Sequence, residues 1–296
     1  KNKLTTYDIT EYCLKPLGNL YTLIGDYSNA ENSIKQYYFV ASQEKNESQK
    51  QAAVLNLSNV YQNTGRIDQA IELLEKTIQK EKLTNAQKGL LYNNLGSNYF
   101  LNTRATKMKS YAFENAEKAF LKAVLLLERE PSQHEALTNS YRNLCKLNLE
   151  RKNKQMALHY FEKAKHTFEK IPNPNPRKKA QFYFDEANML FKQREITASS
   201  LAIERVFKTL IPAYSSAKTV LPNQSALYAE TILLDVLDLQ AELFLAQSQP
   251  KKALESYALA FHIKALFQSL LVYENSKIII QIRNRNRTER CIAIYQ

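Results

Sequence analysis

Six segments of the 296-residue chain repeat one local pattern of large and small residues. In each copy, large side chains stand three and four positions apart around a first small residue. A turn and a second small residue follow. The paired small residues are Gly18 and Ala30, Ser58 and Ala70, Gly96 and Ala116, Cys145 and Ala157, Ala187 and Ser200, and Ala241 and Ala253. A fixed-period repeat constrains the architecture before any single residue is considered, because each copy is a unit that must stack on its neighbours.

The spacing within a copy predicts two packed helices. Residues three and four apart share one helix face, so the large residues form an apolar stripe. A small residue within the stripe lets a second helix approach, and that helix presents its own small residue at the crossing. Gly25 and Gly65 stand between the predicted helices, where a turn with positive φ is expected. Packing thus assigns a role to four of the five glycines, and Gly89 has none.

The copies resemble the tetratricopeptide repeat (TPR). The usual tryptophan at the first large position is replaced by leucine, valine, tyrosine or phenylalanine, since the chain has no Trp. The resemblance implies an all-α fold, a right-handed superhelical solenoid of antiparallel helix pairs with about six long repeats plus a terminal helix. The second small residues lie from 40 (Ala30 to Ala70) to 53 (Ser200 to Ala253) positions apart, against about 34 in a standard TPR. The extra residues must lengthen helices or linkers, in the third copy around residues 103–107.

A proline-rich segment, Ile171-Pro-Asn-Pro-Asn-Pro176, divides the repeats into two groups. Alternate prolines prevent helix continuation and favour an extended connector. We expect an N-terminal block of four repeats at 1–171 and a C-terminal block at 177–296 with two degenerate repeats plus a terminal helix, continuous with the first. The segment is interpreted either as an ordinary loop between repeats or as a hinge.

Composition and motifs point away from catalysis. The chain has 44% hydrophobic and 24% charged residues, and it has no glycine-rich phosphate loop, no GxSxG and no HExxH motif. Its four histidines do not pair with Cys, Asp or Glu at metal-ligand spacing. We therefore predict no enzyme activity, no cofactor and no metal site. The three cysteines are interpreted as free thiols. The sequence does not assign a cellular compartment, although the cytoplasm is slightly favoured.

The candidate binding residues lie between the packing residues of the first helix of each pair. In TPR arrays this helix lines the concave groove, so the resemblance implies a peptide-binding surface here. An asparagine amide can both donate to and accept from an extended peptide backbone, and Asn56, Asn94 and Asn143 each directly precede the leucine of their copy. The alternative is that asparagine is simply tolerated on a solvent-facing surface. The candidate set is Lys15, Asn19, Asn56, Asn59, Asn94, Arg142, Asn143 and Lys146.

Three of these residues also resemble part of a carboxylate clamp. Lys15, Asn19 and Asn56 match positions that some TPR domains use to hold a C-terminal carboxylate. The third copy departs from that clamp, because Leu90 and Asn94 stand where Lys and Arg are expected.

The last two copies place acidic residues at the corresponding positions. We therefore predict a groove that is polar to basic over the first four repeats and acidic over the last two, so that a partner binds in one direction. The acidic residues are Asp185, Glu186, Asp235, Asp238 and Glu242.

The net charge of +12 leaves a second function class open. Basic residues cluster at 151–154, at 177–179, and at Arg283, Arg285, Arg287 and Arg290. These clusters are interpreted as solvated charge or, alternatively, as a nucleic-acid-binding surface. Binding of nucleic acid would depend steeply on salt concentration.

A second resemblance concerns the context of the array. Residues 7–12, 30–36 and 273–295 resemble TPR regions that precede CHAT domains, the caspase-like proteases of bacteria. The resemblance implies a regulatory arm whose partner is a protein or peptide ligand, with an attached or associated protease domain after residue 296. It assigns no catalytic residue within this chain.

Overall fold

The computed structural model describes residues 8–80, 82–105, 109–217, 219–270 and 274–296. Within these ranges the chain is helical, without strands. It divides into two compact units, residues 1–171 (unit 1) and residues 172–296 (unit 2). No helix in the described ranges is long and apolar enough to cross a membrane.

Unit 1 contains four helix pairs. A short π-helical turn, Thr10–Leu14, leads into the first helix. Within each pair the two helices pack on one another, and each second helix also packs on the first helix of the next pair. The helices are α1 (Lys15–Ile24), α2 (Tyr27–Gln43), α3 (Glu47–Asn63), α4 (Ile67–Lys80), α5 (Asn85–Ala105), α6 (Lys109–Leu127), α7 (His134–Glu150) and α8 (Lys154–Phe168).

Unit 2 contains two helix pairs and a final helix. A long connection with one 3-10 turn, Gln224–Ala226, separates the pairs. Its core is formed mainly by Ile203, Phe207, Leu233, Val236 and Phe267, which are almost fully buried. The helices are α9 (Pro176–Lys192), α10 (Ile196–Leu210), α11 (Thr231–Ala246), α12 (Pro250–Leu270) and α13 (Glu274–Tyr295).

Glycines allow the first and second helices to approach closely. A Cβ atom added to Gly18 would lie 2.6 Å from Cγ1 of Ile34, and one added to Gly96 would lie 2.6 Å from the ring of Phe120. Both partner side chains are fully buried, so a larger residue would force them to shift. The close helix packing predicted at these two positions is confirmed.

Gly89, which the repeat pattern left without a role, makes a third close contact. A Cβ atom there would lie 2.6 Å from Cγ of Leu127, near the end of α6. Gly89 lies seven residues before Gly96, two helical turns along the same side of α5. That spacing was a usable signal for its packing role.

The turn within a helix pair uses the left-handed region at one fixed position. Gly25 has φ 83° and Gly65 has φ 77°, as the pattern predicted. Lys152, Arg194 and Ser248 stand at the equivalent position of their copies, seven residues after the small residue of the first helix. Their φ angles are 60°, 70° and 59°. The geometry of the helix pair therefore imposes this conformation even where a side chain makes it less favourable.

The fifth copy was misaligned by one residue in the sequence pattern. Ser199, not Ser200, occupies the crossing: it is fully buried, and its Oγ donates to the carbonyl of Ala187 at 2.7 Å. In the first copy 12 residues separate Gly18 from Ala30, and the same offset from Ala187 gives Ser199. The degenerate copy thus keeps the spacing and uses a serine whose hydroxyl donates to the facing helix.

The extra residues of the third copy lengthen its first helix. The helix α5 has 21 residues and continues through Thr103 to Ala105, whereas α3 has 17. Thr106 and Lys107, the rest of the predicted insertion, lie outside the described residues. The insertion therefore extends a helix at least as far as Ala105.

Candidate binding surface

The first helices of unit 1 present polar side chains on the side away from their partner helices. In α3, Val54, Leu57 and Ser58 are buried, whereas Asn56 and Asn59 are half-buried. At 100° per residue, the two asparagines lie on the opposite side of the helix from the buried stripe. We call this surface, formed by α1, α3, α5 and α7, the first-helix face.

Three candidate residues near the start of unit 1 keep their amide groups available. Asn19 is exposed, and Asn56 and Asn59 are half-buried. Asn19 and Asn59 occupy equivalent positions, each directly after the small residue of its helix. Within the described residues, no hydrogen bond engages the side chain of any of the three. Each of these amides can therefore pair with an external donor and acceptor.

The amides of α5 and α7 are instead engaged with each other. Asn143 Nδ2 donates to Asn93 Oδ1 at 3.0 Å and lies 3.3 Å from Ser97 Oγ. The buried hydroxyl of Ser140 also lies 3.1 Å from Asn93 Oδ1. These four residues, the amide cluster, link neighbouring first helices across about 50 residues of sequence. Asn143 thus has a structural role that sequence position alone did not reveal.

Among the other candidate residues, Asn94 and Arg142 form side-chain hydrogen bonds within their own helices. Lys15 forms an ion pair with Glu11, with Nζ and Oε1 2.7 Å apart. Asn94 Nδ2 donates to the carbonyl of Leu90 at 3.1 Å. Arg142 Nη1 donates to Asn139 Oδ1 at 2.6 Å, and Lys146 is half-buried on α7.

In unit 2 three of the acidic residues predicted to face a partner, Glu186, Asp238 and Glu242, form ion pairs within the chain. The guanidinium of Arg287 on α13 donates from Nε and Nη2 to the two carboxylate oxygens of Asp238 on α11, both at 2.6 Å. The Arg287 side chain is 4% exposed, so this contact fixes α13 against α11. Glu242 accepts from Tyr257 at 3.0 Å and lies 3.3 Å from Arg290.

The fifth copy shows the same internal pairing. Glu186 forms an ion pair with Arg205, with 2.7 Å between Nη2 and Oε2. Asp185 is buried and accepts from Gln181 at 3.3 Å. Glu186 is therefore already paired with a cation of unit 2, and Asp185 accepts from a neutral amide.

Several arginines of the predicted basic clusters are also paired with neighbouring carboxylates. Arg151 pairs with Glu117 at 2.6 Å, and Arg177 donates to both oxygens of the buried Glu230. Arg285 pairs with Glu289 at 2.8 Å. The side chain of Arg283 lies outside the described part of the chain. The arginines that suggested nucleic-acid binding therefore serve in part to join helices.

Reactive and metal-binding groups are sparse in the described residues. Cys13, Cys145 and Cys291 form no disulfide bond within the described residues, and Cys145 is buried at the crossing of α7 and α8. The described ranges contain no group of three or more His, Cys, Asp or Glu residues arranged to hold a metal ion.

Comparison with known proteins defines the fold but not a family. No protein-family model and no curated protein matches the sequence. Among solved structures, the apo form of RapI aligns with 15% identity over 90% of this chain and 88% of its own, with a TM-score of 0.58. BtubC (BKLC) from P. vanneervenii aligns with 13% identity over 83% and 91% of the two chains, with a TM-score of 0.53.

A tetratricopeptide repeat protein from Parabacteroides merdae also aligns, with 13% identity over 93% of this chain and all of that chain, at a TM-score of 0.34. At these identities the similarity concerns architecture alone. The paired helices of both units, together with the alignments to RapI and BtubC, give the chain an all-α, TPR-like fold.

Proposed function

We propose that this chain is a non-catalytic scaffold whose first-helix face in unit 1 binds an extended segment of a partner protein. The proposal rests on one observation: the side-chain amides of Asn19, Asn56 and Asn59, on two successive first helices, form no hydrogen bond within the described residues. An extended peptide exposes one N–H and one C=O group per residue, and an asparagine side chain can pair with both.

The remaining candidate residues extend this surface. The amide oxygens of Asn94 and Asn143 accept no hydrogen bond within the described residues, so they can accept from peptide N–H groups. Lys15, which is paired with Glu11, and Arg142 and Lys146 lie on the same face. The net charge of +12 favours an acidic partner segment.

A selection experiment with random peptides tests this proposal. Twelve-residue peptides displayed on phage are selected on the full chain, and the affinity of the recovered peptides is measured by fluorescence anisotropy. We expect the double change Asn56→Ala and Asn59→Ala to weaken binding about tenfold or more, since each lost hydrogen bond costs about 1 kcal/mol.

The matched control is Gln69→Ala, which removes an exposed amide from the second helix of the same repeat. It should leave the affinity unchanged. Equal loss in both variants, or no loss in the double variant, would place the peptide elsewhere and contradict the proposal.

As a finer part of this proposal, the array acts as the regulatory arm of a larger protein with a caspase-like protease domain. The support is the resemblance of residues 7–12, 30–36 and 273–295 to TPR regions that precede CHAT domains; Tyr7 and residues 271–273 lie outside the described residues. Sequencing the coding region beyond Gln296 tests it. A downstream domain with a His and Cys pair is expected, and an unrelated domain or a stop codon would contradict this part alone.

A further inference from the structure

A cavity of about 290 Å³ lies in unit 1 between α4, α5 and α6. The two second helices, α4 and α6, form its walls, and α5 contributes Tyr92, Leu95 and Tyr99 to its floor. These three residues lie on the side of α5 opposite Asn94. The cavity is therefore distinct from the first-helix face.

The cavity exists because one position carries a small residue. Ala119 stands three residues after the crossing alanine of α6, where the next repeat has Tyr160. In that repeat Tyr160 stacks on Tyr141, with ring centroids 6.4 Å apart. Tyr92 occupies the position equivalent to Tyr141, four residues before the small residue of its helix, but it faces the methyl group of Ala119. The space of a tyrosine ring is thus left open.

The open space has one positively charged wall. Lys122 Nζ lies 5.2 Å from the centroid of the Tyr92 ring, and Lys118 lies one helical turn earlier on the same side of α6. Lys118 is exposed and forms no ion pair within the described residues. The Lys122 ammonium therefore stands over the Tyr92 ring, Lys118 lines the same wall, and no other ring in the described part of the chain stacks on Tyr92.

The opposite wall carries one carboxylate, Glu75 on α4. The Glu75 carboxylate accepts a hydrogen bond from the hydroxyl group of Tyr99. Burial first, and the adjacent Glu75 carboxylate second, raise the pKa of Tyr99, so the phenol stays protonated near neutral pH. A neutral donor does not offset the charge of the Glu75 carboxylate, so an anionic ligand is favoured at the opposite wall, beside Lys118 and Lys122.

We propose that this cavity binds a single-ring aromatic carboxylate. The ring packs against Tyr92, Leu95 and Ala119, and the carboxylate pairs with Lys118 and Lys122. An aromatic and apolar floor with a few polar groups at the rim is typical of ligand pockets, and the volume is near the lower limit of about 300 Å³ for such sites. The cavity therefore accommodates one ring with a short acidic arm and is too small for a nucleotide.

Titration with three small probes tests the proposal. Phenylacetate has the ring and the charge, phenylacetamide has the ring alone, and acetate has the charge alone. In amide NMR spectra of the isotope-labelled full chain, phenylacetate should shift the Tyr92 and Ala119 signals with a dissociation constant on the order of 1 mM. Phenylacetamide and acetate should each bind about tenfold more weakly, because each lacks one of the two interactions.

A pair of matched variants tests whether Lys118 and Lys122 supply the positive charge that binds the carboxylate. Lys118→Ala with Lys122→Ala should weaken phenylacetate binding at least about fivefold. Lys163→Ala is the control: Lys163 Nζ lies 5.4 Å from the Tyr141 ring centroid, at the position equivalent to Lys122, but there Tyr160 fills the space. This control should leave binding unchanged, and both variants replace exposed residues whose loss does not threaten folding.

A third variant closes the cavity. Ala119→Tyr introduces the tyrosine that the next repeat has at this position and should abolish phenylacetate binding. Circular dichroism checks that the variant keeps the native helix content. If it does not fold, the lysine variants test the proposal on their own. Absence of a phenylacetate-dependent shift, equal binding of phenylacetamide, or equal losses in the Lys163 and Lys118/Lys122 variants would each overturn the proposal.

Discussion

In unit 1 the first helices carry amide side chains, whereas in unit 2 the corresponding helices carry carboxylates. The amides Asn19, Asn56 and Asn59 have no partner in the described residues. The carboxylates Asp238 and Glu242 are paired with arginines of α13. The same helix-pair architecture thus leaves some first-helix amides of unit 1 available, whereas in unit 2 it pairs first-helix carboxylates with arginines of the same unit.

Charge at a predicted binding position is therefore weak evidence for binding. A buried carboxylate is costly unless a partner neutralises it, so a helical array with acidic first helices gains stability when its own arginines pair with them. A half-buried amide without a partner costs less free energy than a carboxylate, so it can remain available to an external partner. For this reason we assign the candidate surface to unit 1.

The strongest destabilisation should come from removing the internal pairing of unit 2. Arg287→Ala should lower the free energy of unfolding by about 2 kcal/mol, because it leaves the Asp238 carboxylate and Asn284 without their partner. Urea unfolding followed by circular dichroism measures this loss. Arg290→Ala, whose side chain is 63% exposed, should change stability by no more than about 0.5 kcal/mol. Equal effects would show that the buried contact does not hold α13 in place.

An intermediate effect should separate the two kinds of amide within unit 1. Asn143→Ala removes the donor of the amide cluster and should cost about 1 kcal/mol in urea unfolding. Asn56→Ala at the equivalent position of α3 should stay within about 0.5 kcal/mol, because its amide has no partner to lose within the described residues. A similar cost for both variants would mean that Asn56 is also structural and would weaken its assignment to binding.

A weaker effect concerns an ion pair of unit 1 that joins second-helix regions. Arg66 donates to both oxygens of Glu31, at 3.3 and 2.6 Å, and these hydrogen bonds lower the pKa of Glu31 from its ordinary value of 4.5. The pair therefore stabilises the fold fully above pH 4.5, and the contribution is lost as pH falls through the lowered pKa of the folded state. We expect Arg66→Met to cost about 0.5 to 1 kcal/mol at pH 7, since the guanidinium is partly screened by solvent. The deficit should shrink below pH 4.5, and a pH-independent deficit would assign it to packing instead.

Much of the fold could be predicted because its signals are local. The close approach at Gly18 and Gly96 and the positive φ of Gly25 and Gly65 follow from residues within one helix pair. The error at Ser200 arose where large residues no longer marked the register, and a strict 12-residue offset from Ala187 would have given Ser199. Gly89 was missed because its packing partner, Leu127, lies at the far end of the second helix.

Helix pairs, their turns and their crossing points can be derived from the amino-acid sequence alone, since periodicity and small-residue spacing act over about 20 to 40 residues. Which polar groups remain available depends instead on the tertiary structure. Asn143 meets Asn93 and Arg287 meets Asp238 across separations of 50 and 49 residues, which no local pattern encodes. The cavity at Ala119 also depends on three helices meeting, because an alanine creates space only where its neighbours fail to fill it.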